Sequence, residues 1–212
     1  MYHLLKGLHE YLTRHEEFSI VIIGLDGAGK TTLLERITAH YSHSTPRPPE
    51  NIPPTVGQNL GKVSLPSTIL NFIDLGGQRG IRSIWHRYYH KCHALAYVID
   101  ASDRERLAEG WDVFHSVLSD PRTLHVPLLL LANKQDAPDA LSVADIRNDY
   151  HDWDRRRRDS ARRRDRGDSN DPEDTANARI ASLDVMGISA LEGHGVQEAV
   201  DWLFLRVQNS RQ

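Results

Sequence analysis

One stretch near the amino terminus restricts the possible folds more than any other part of the chain. Residues 24–31, GLDGAGKT, fit the pattern G-x-x-x-x-G-K-[ST] at every position. A largely apolar run over 18–23 precedes the stretch, and leucine and isoleucine at helical spacing follow it. This context predicts a strand, a phosphate-binding loop and a helix, because glycines let backbone N–H groups turn toward an anion at a helix N-terminus. A chance glycine-rich turn is the alternative, and the flanking patterns argue against it.

The positions of this phosphate loop (residues 24–31) have distinct predicted roles. Lys30 would reach the β- and γ-phosphates of a nucleotide, and the Thr31 hydroxyl would ligate Mg²⁺. The predicted nucleotide-contacting set at this end of the site is Asp26, Gly27, Ala28, Gly29, Lys30, Thr31 and Thr32.

Beyond the phosphate loop, strand and helix signals alternate. Residues 60–65 and 69–73 indicate a hairpin, and apolar strands are predicted over 94–99, 126–131 and 183–188. Together with the strand before the phosphate loop, they predict a mainly parallel six-stranded α/β sheet with helices on both faces.

Two helix starts carry capping-box patterns. Ser102 with Glu105, and Ser142 with Asp145, have the spacing at which a side chain at each position can bond the other's backbone N–H. We therefore expect one helix from Ser102 to about residue 119 and another from Ser142.

Residues 1–15 are predicted to form an amphipathic helix ahead of a domain that spans 16–212. At ~100° per residue, the apolar side chains of this helix fall within an arc of about 120°. They are Met1, Leu4, Leu5, Leu8, Tyr11 and Leu12. This apolar stripe either packs on the domain or enters the interface of a bilayer, and a switch could use both.

Residues 151–178 break the alternation. Arginine dominates their first half and acidic residues their second half, without apolar periodicity. This composition predicts an exposed, mobile insertion. The alternatives are a docking site for anionic lipid or an acidic partner and, for part of the insertion, an extension of a helix.

The composition argues against several classes of protein. The net charge of −3 provides no global basic field for nucleic acid. Cys92 is the single cysteine, which rules out an internal disulfide and fits a reducing compartment. No apolar run approaches the ~20 residues of a membrane-spanning helix.

A second motif, DLGGQ at residues 74–78, follows the hairpin. Asp74 ends a strand beside the phosphate loop, where its carboxylate can hold Mg²⁺ through water. Gly77 would let the backbone approach a γ-phosphate, and Gln78 could orient the attacking water. Thr55, in the loop before the hairpin, could bring its hydroxyl to Mg²⁺ and its N–H to the γ-phosphate. A strand-ending turn and an ordinary surface threonine are the respective alternatives.

The third motif, NKQD at residues 133–136, follows a buried strand, where ligands bind in open α/β sheets. Asp136 can accept hydrogen bonds from the guanine N1–H and N2 amino group, which adenine lacks. The stem of Lys134 can cover the base, and Asn133 can tie this loop to the phosphate loop. After the last strand, the Ala190 N–H is placed for guanine O6. The remaining predicted members of the base site are Ser189, Ala190 and Leu191.

With these motifs in place, the chain resembles the Arf family of the Ras superfamily of small GTPases. The motifs that carry the resemblance are Gly24-Leu25-Asp26, Pro54-Thr55-Val56-Gly57, Asp74-Leu75-Gly76-Gly77-Gln78, Ile81-Arg82-Ser83-Ile84-Trp85 with Tyr88, and Asn133-Lys134-Gln135-Asp136. The resemblance covers the chain except residues 151–178. The start of the chain, with Tyr2 where a myristoylated relative has glycine, is similar to that of the non-myristoylated Arf-related branch of the trans-Golgi.

The resemblance implies a GTP-hydrolysing molecular switch with a P-loop NTPase fold, a G domain that binds GTP or GDP with Mg²⁺. It implies an exchange factor, a GTPase-activating protein and effector proteins as partners. It also implies that the protein is cytoplasmic and associates reversibly with Golgi membranes or a membrane receptor through the N-terminal helix, in the service of vesicle traffic. In such proteins the hairpin strands shift register with the nucleotide, and GTP expels the N-terminal helix.

Two features depart from the family's pattern. Arf proteins carry aromatic residues where this chain has Gln58 and Ile73, so that only Tyr88 matches that aromatic set. The insertion at 151–178 is the second departure. We therefore expect effectors that differ from those of ordinary Arf proteins.

Slow intrinsic hydrolysis is expected, because Asp26 would put a carboxylate near the γ-phosphate and hinder closure by Gln78. No arginine of the motifs is evidently placed to help, and an activating protein could accelerate the reaction ~10³–10⁵-fold. A nucleotide-bound scaffold without hydrolysis is the main alternative. A P-loop kinase or a nucleic-acid binder would have to use the arginines of residues 155–166. A kinase leaves the NKQD motif without a role, and the neighbouring acidic residues and the lack of an aromatic platform argue against nucleic acid.

Overall fold

The computed structural model describes residues 15–164 and 183–209. The amphipathic helix predicted over 1–15 lies outside these residues except for its last position, and so does the 165–178 part of the predicted insertion. Within the described ranges, no helix is long and apolar enough to cross a bilayer.

Six strands and five helices are described in these two ranges. In chain order they are β1 (Glu16–Ile23), α1 (Lys30–Ser42), β2 (Gln58–Ser64), β3 (Thr68–Leu75), α2 (His86–Tyr89), β4 (Ala94–Asp100), α3 (Leu107–Leu118), β5 (Leu128–Asn133), α4 (Val143–Arg164), β6 (Asp184–Gly187) and α5 (Val196–Asn209). Short 3₁₀ turns lie at Pro49–Asn51, Arg82–Ile84, Arg104–Arg106 and Pro121–Thr123.

The strands form one sheet in the order β2-β3-β1-β4-β5-β6. Neighbouring strands are parallel except β2 and β3, which form the antiparallel hairpin. The predicted six-stranded, mainly parallel sheet with flanking helices is therefore confirmed. Because β1, β3, β4, β5 and β6 run in the same direction, the loops that follow them meet at one edge of the sheet.

The sheet separates two cores, and β1 contributes to both. Ile20 and Ile22 pack with the aliphatic residues of α1 and α5, whereas Val21 and Ile23 pack on the side of α3 and α4, where Trp111 lies. This is the two-residue period of a strand covered on both faces. Strands β4 and β5 are buried along nearly their whole length, which explains their continuous apolar sequences.

Helix α4 is longer than its sequence pattern indicates. It opens with the predicted capping box, in which Ser142 Oγ donates to Asp145 Oδ2 at 2.7 Å and accepts from the Asp145 N–H at 3.2 Å. It then continues through residues 151–164, so this part of the predicted insertion is helix rather than loop. Trp153 stacks on Tyr150 with ring centroids 5.8 Å apart, a contact that supports the extension.

The other predicted capping box is wrong. The Ser102 hydroxyl donates to the preceding Asp100 carboxylate at 2.6 Å instead of capping a helix. Asp103 accepts from the Arg106 N–H at 3.2 Å and opens a 3₁₀ turn that leads into α3. The prediction fails because Asp103, one residue further on, is an equally good cap and accepts from the Arg106 N–H in place of the Glu105 N–H that Ser102 would have used.

Candidate nucleotide-binding site

The phosphate loop leaves β1 in a conformation that requires glycine at both of its ends. Gly24 has φ +145°, and a Cβ there would lie 2.1 Å from the Val98 carbonyl oxygen. Gly29 has φ +87°, and a Cβ there would lie 2.4 Å from Asn133 Nδ2. Helix α1 begins at the next residue, which directs its first N–H groups and its dipole at the loop.

Lys30 is buried at the start of α1, with 6% of its surface exposed. Its ammonium group donates to the Leu25 carbonyl oxygen at 2.7 Å across the phosphate loop. Burial lowers the pKa of Lys30 to about 8, although the carboxylates of Asp74 and Asp26 act in the opposite direction. The loop therefore holds a partly desolvated cation for which an anionic oxygen would be a stronger partner than one carbonyl.

Three predicted metal ligands from separate segments meet beside the phosphate loop. Thr31 Oγ1 donates to Asp74 Oδ2 at 2.7 Å and lies 2.8 Å from Thr55 Oγ1. Thr55 Oγ1 lies 3.2 Å from the same carboxylate oxygen. Asn59 Nδ2 donates to Thr55 Oγ1 at 2.9 Å and to Asp74 Oδ2 at 3.1 Å. The sequence analysis missed Asn59, because no motif marks an amide on the outer strand of a hairpin.

The chemistry of this cluster fits magnesium. Asp74 Oδ1 is buried and has no hydrogen-bond partner among the described residues. A buried carboxylate oxygen in that position is costly unless a cation or water satisfies it. Two hydroxyls and one carboxylate are hard oxygen donors of the kind that Mg²⁺ prefers. Over residues 15–164 and 183–209, no group of three or more histidine, cysteine, aspartate or glutamate side chains offers a different metal site.

The DLGGQ segment lies directly against the phosphate loop. A Cβ on Gly77 would lie 2.4 Å from the Asp26 nitrogen and 2.5 Å from the Gly24 carbonyl oxygen, so only glycine permits this approach. Gln78 is exposed beside the cleft between the two segments. That cleft of about 290 Å³ is lined by Asp26, Gly27, Gly29, Lys30, Thr31, Thr32, Pro49, Ile52, Pro53, Pro54, Thr55, Gly77 and Gln78.

Asn133 organises the side of the site predicted to hold the base. It is 1% exposed, and its Nδ2 donates to the Ala28 carbonyl oxygen at 2.8 Å, which is the predicted tie to the phosphate loop. Its Oδ1 accepts from the Ala190 N–H at 3.0 Å. The N–H group predicted to face guanine O6 is therefore bonded to Asn133 in this structure, and the amide joins three loops.

The side chains of Asp136 and Lys134 are both held by neighbours. Ser189 Oγ donates to Asp136 Oδ1 at 2.5 Å, and so orients the carboxylate predicted to select the base. Lys134 has φ +66°, and its Nζ lies 2.5 Å from Asp100 Oδ2. Burial raises the pKa of Asp100, but hydrogen bonds, first that of Lys134, outweigh burial and leave the pKa lowered. Leu191 lies at the rim, 48% exposed.

Asp26 pairs with Arg106, a partner that the sequence analysis did not predict. Arg106 donates to the Asp26 carboxylate at 2.9 Å and to its carbonyl oxygen at 3.0 Å. The hydrogen bond from Arg106 outweighs burial and lowers the pKa of Asp26. We expected the like charge of the Asp26 carboxylate to act on the γ-phosphate, and the structure gives this carboxylate a cationic neighbour, Arg106. The argument that Asp26 hinders Gln78 is weakened accordingly.

The departure from the Arf aromatic set has a structural counterpart. The Tyr88 hydroxyl donates to Gln58 Oε1 at 2.7 Å, a polar contact between the hairpin and α2. Nearby on the chain, Val56 and Leu60 are 84% and 69% exposed. The surface beside the nucleotide-contacting segments is therefore part aliphatic and part polar.

At one edge of the parallel sheet, the strand ends bring together a phosphate loop, a hydroxyl–carboxylate cluster and an NKQD loop. This combination defines the G domain of a small GTPase. The model of the ADP-ribosylation factor family matches residues 4–207, and the chain belongs to that family. It is accordingly a GTPase, a switch that binds and hydrolyses GTP.

Curated relatives agree with this assignment, and a solved structure agrees with the fold. ADP-ribosylation factor-like protein 3 of Saccharomyces cerevisiae is 39% identical over 212 residues, 100% of this chain and 96% of that protein. Human ADP-ribosylation factor-related protein 1 is 37% identical over 206 residues, 96% of this chain and 91% of that protein. The Arl6 BBS3 small GTPase from Trypanosoma brucei, with bound nucleotide analogue GppNp, shares the fold. Its TM-score is 0.69 at 22% identity, over 92% of this chain and 99% of that one.

Proposed function

We propose that this GTPase regulates Golgi membrane traffic by binding to membranes and recruiting effectors when it carries GTP. Mg²⁺ would be its cofactor, and an exchange factor and a GTPase-activating protein would set its nucleotide state. The protein would be cytoplasmic and reversibly bound to Golgi membranes. The similarity to Arf-related proteins over 96% of the chain supports this proposal, as does Tyr2 in place of a myristoylated glycine.

The observation that carries the switch is the contact of Thr55 with Thr31 and Asp74. Thr55 belongs to the switch-one loop (residues 52–57), which precedes the hairpin. This contact joins the loop to the phosphate loop through atoms that would surround one Mg²⁺ ion beside a γ-phosphate. Loss of that phosphate would remove the ligand that holds the loop in place, so the loop would report the nucleotide state.

The chain's own residues divide the chemistry among them. Thr31 and Thr55 would hold Mg²⁺ through their hydroxyls and Asp74 through water, and the ion supplies positive charge to the β- and γ-phosphates when bound. Lys30 would exchange its carbonyl partner for phosphate oxygens. Gln78, at the edge of the cleft, would orient the attacking water, since an amide can donate and accept at once.

Membrane contact would come from the apolar stripe of residues 1–15, released in the GTP state. Effector contact would use the exposed Val56 and Leu60, whose positions depend on the switch-one loop and the hairpin. The Gln58–Tyr88 hydrogen bond replaces an aromatic surface there, which supports a partner set different from that of ordinary Arf proteins.

Flotation with membranes tests the proposal. Full-length protein, loaded with GDP or with a non-hydrolysable GTP analogue, is mixed with isolated Golgi membranes, endoplasmic reticulum membranes or plain liposomes. The analogue-loaded form should float preferentially with Golgi membranes.

A matched pair of variants isolates the apolar stripe. Leu8→Ser removes one leucine of the predicted apolar stripe and should weaken binding about tenfold or more. His9→Ser, one residue away and outside the apolar arc, should leave binding unchanged. Equal flotation of the GDP and analogue forms, or no preference for Golgi membranes, would end the proposal.

A further inference from the structure

Four charged side chains form a cluster between the phosphate loop and α3. We call Asp26, Arg82, Arg106 and Glu109 the four-charge cluster. Arg106 lies 2.9 Å from Asp26 and 3.3 Å from Glu109, whereas Arg82 lies 2.8 Å from Glu109 and 3.6 Å from Asp26. Two cations and two carboxylates balance, so the cluster can form beside a nucleotide without adding net charge.

Arg82 is the most enclosed member of the cluster. Its side chain is 13% exposed, against 36% for Arg106, 48% for Asp26 and 41% for Glu109. A planar guanidinium with several directed contacts is held in one orientation. Because ion pairs with such exposed partners contribute little to stability, fold stability is a poor explanation for the arrangement.

The backbone contacts of Arg82 show what this orientation serves. Its Nε donates to the Gly77 carbonyl oxygen at 2.7 Å, and its backbone N–H donates to the Gln78 carbonyl oxygen at 3.2 Å. These two carbonyls belong to the peptide units on either side of the Gln78 Cα. The Arg82 side chain therefore holds the peptide unit before the Gln78 Cα, and the backbone N–H groups of Ile81 and Arg82 hold the peptide unit after it.

We propose that Arg82 is a positioning residue for GTP hydrolysis, fixing the backbone of Gln78 beside the phosphate loop while Glu109 and Asp26 fix the guanidinium. Arg82 is not among the residues that line the cleft, so it acts through Gln78 and not on the phosphate. The inference rests on the water-orienting role proposed for Gln78.

Single-turnover hydrolysis of GTP preloaded on the full-length protein, without an activating protein, tests the inference. Arg82→Met should slow hydrolysis about tenfold, because a loosened Gln78 spends less time in the productive geometry. The rate of GTP dissociation should stay within about twofold, since no contact to the nucleotide is removed. Arg87→Met, on the exposed side of α2, is the control and should leave both rates unchanged. If Arg82→Met lowers the midpoint of thermal unfolding, Arg82→Lys replaces it in this test, because lysine keeps the charge but not the planar fork and should slow hydrolysis in the same way.

The decisive measurement is the double variant with Gln78→Leu. If Arg82 acts through Gln78, Arg82→Met causes no further loss in the Gln78→Leu background. Additive losses, or a rate that Arg82→Met leaves unchanged or raises, would overturn the inference. A Gln78→Leu variant that hydrolyses GTP normally would instead remove the proposed role of Gln78, and this outcome is visible before Arg82 is changed.

Discussion

Removal of the Asn133 side chain should loosen three loops that the fold holds together. The amide bonds the Ala28 carbonyl at 2.8 Å and the Ala190 N–H at 3.0 Å, partners 105 and 57 residues away, so no local bond can substitute. Asn133→Ala leaves a buried carbonyl and a buried N–H without partners, at about 1–3 kcal/mol each. We expect the free energy of unfolding to fall by about 2–6 kcal/mol and bound nucleotide to dissociate faster.

Thermal unfolding and the dissociation rate of a fluorescent GDP measure the two effects. At about 2–4 °C per kcal/mol, the midpoint should fall by about 4–24 °C. Asn133→Asp should be at least as damaging, because it keeps the acceptor for Ala190 but sets a carboxylate oxygen against the Ala28 carbonyl. Asn71→Ala removes an exposed 3.0 Å bond to Glu17 and should cost less than about 1 kcal/mol. If Asn133→Ala proves no more destabilising than Asn71→Ala, the reasoning is refuted.

Three further outcomes are expected. Gln78→Leu should block GTP hydrolysis while changing GTP affinity less than about threefold, and normal turnover with an activating protein would contradict its role. Asp136→Asn should reduce the preference for GTP over ATP about 100-fold or more in competition titrations, and an intact preference would show that other groups select the base. Burial raises the pKa of the Cys92 thiol from 9.0 to about 11, so less thiolate is present at any given pH. At pH 8, iodoacetamide should therefore alkylate Cys92 about 100-fold more slowly in native than in urea-unfolded protein, and similar rates would be inconsistent with that burial.

The parts of the site that sequence analysis predicted are those carried by local motifs at strand ends. The phosphate loop, the DLGGQ segment and the NKQD loop each follow an apolar strand, and parallel strands bring such loops to one edge. Asn59, Arg82 and Glu109 could not be found in this way. Asn59 and Glu109 contact Asp74 and Arg82 from other segments of the chain, and no motif marks either of them. Arg82 lies in a segment that carries the family resemblance, but the resemblance assigns it no role.

Local interactions that the sequence patterns do not capture explain the errors in the predicted secondary structure. At the start of α3, Asp103 takes the capping position that the S-x-x-[DE] spacing gave to Ser102. Over 151–164 the sequence lacks an apolar period, yet arginine is a fair helix former and Trp153 packs against Tyr150. Composition alone predicts a loop, because composition carries no information about one packing contact such as that of Trp153 with Tyr150.

Gly77 has a consequence for how this gene can vary. A methyl group at that position would collide with the main chain of the phosphate loop, so any other residue would force the DLGGQ segment and that loop apart. A substitution at Gly77 would therefore leave the two cores of the sheet intact but keep the DLGGQ segment from lying against the phosphate loop, one of the states that the switch must reach. The substituted protein would still fold, but its two nucleotide states would no longer differ at the segment that partners could read.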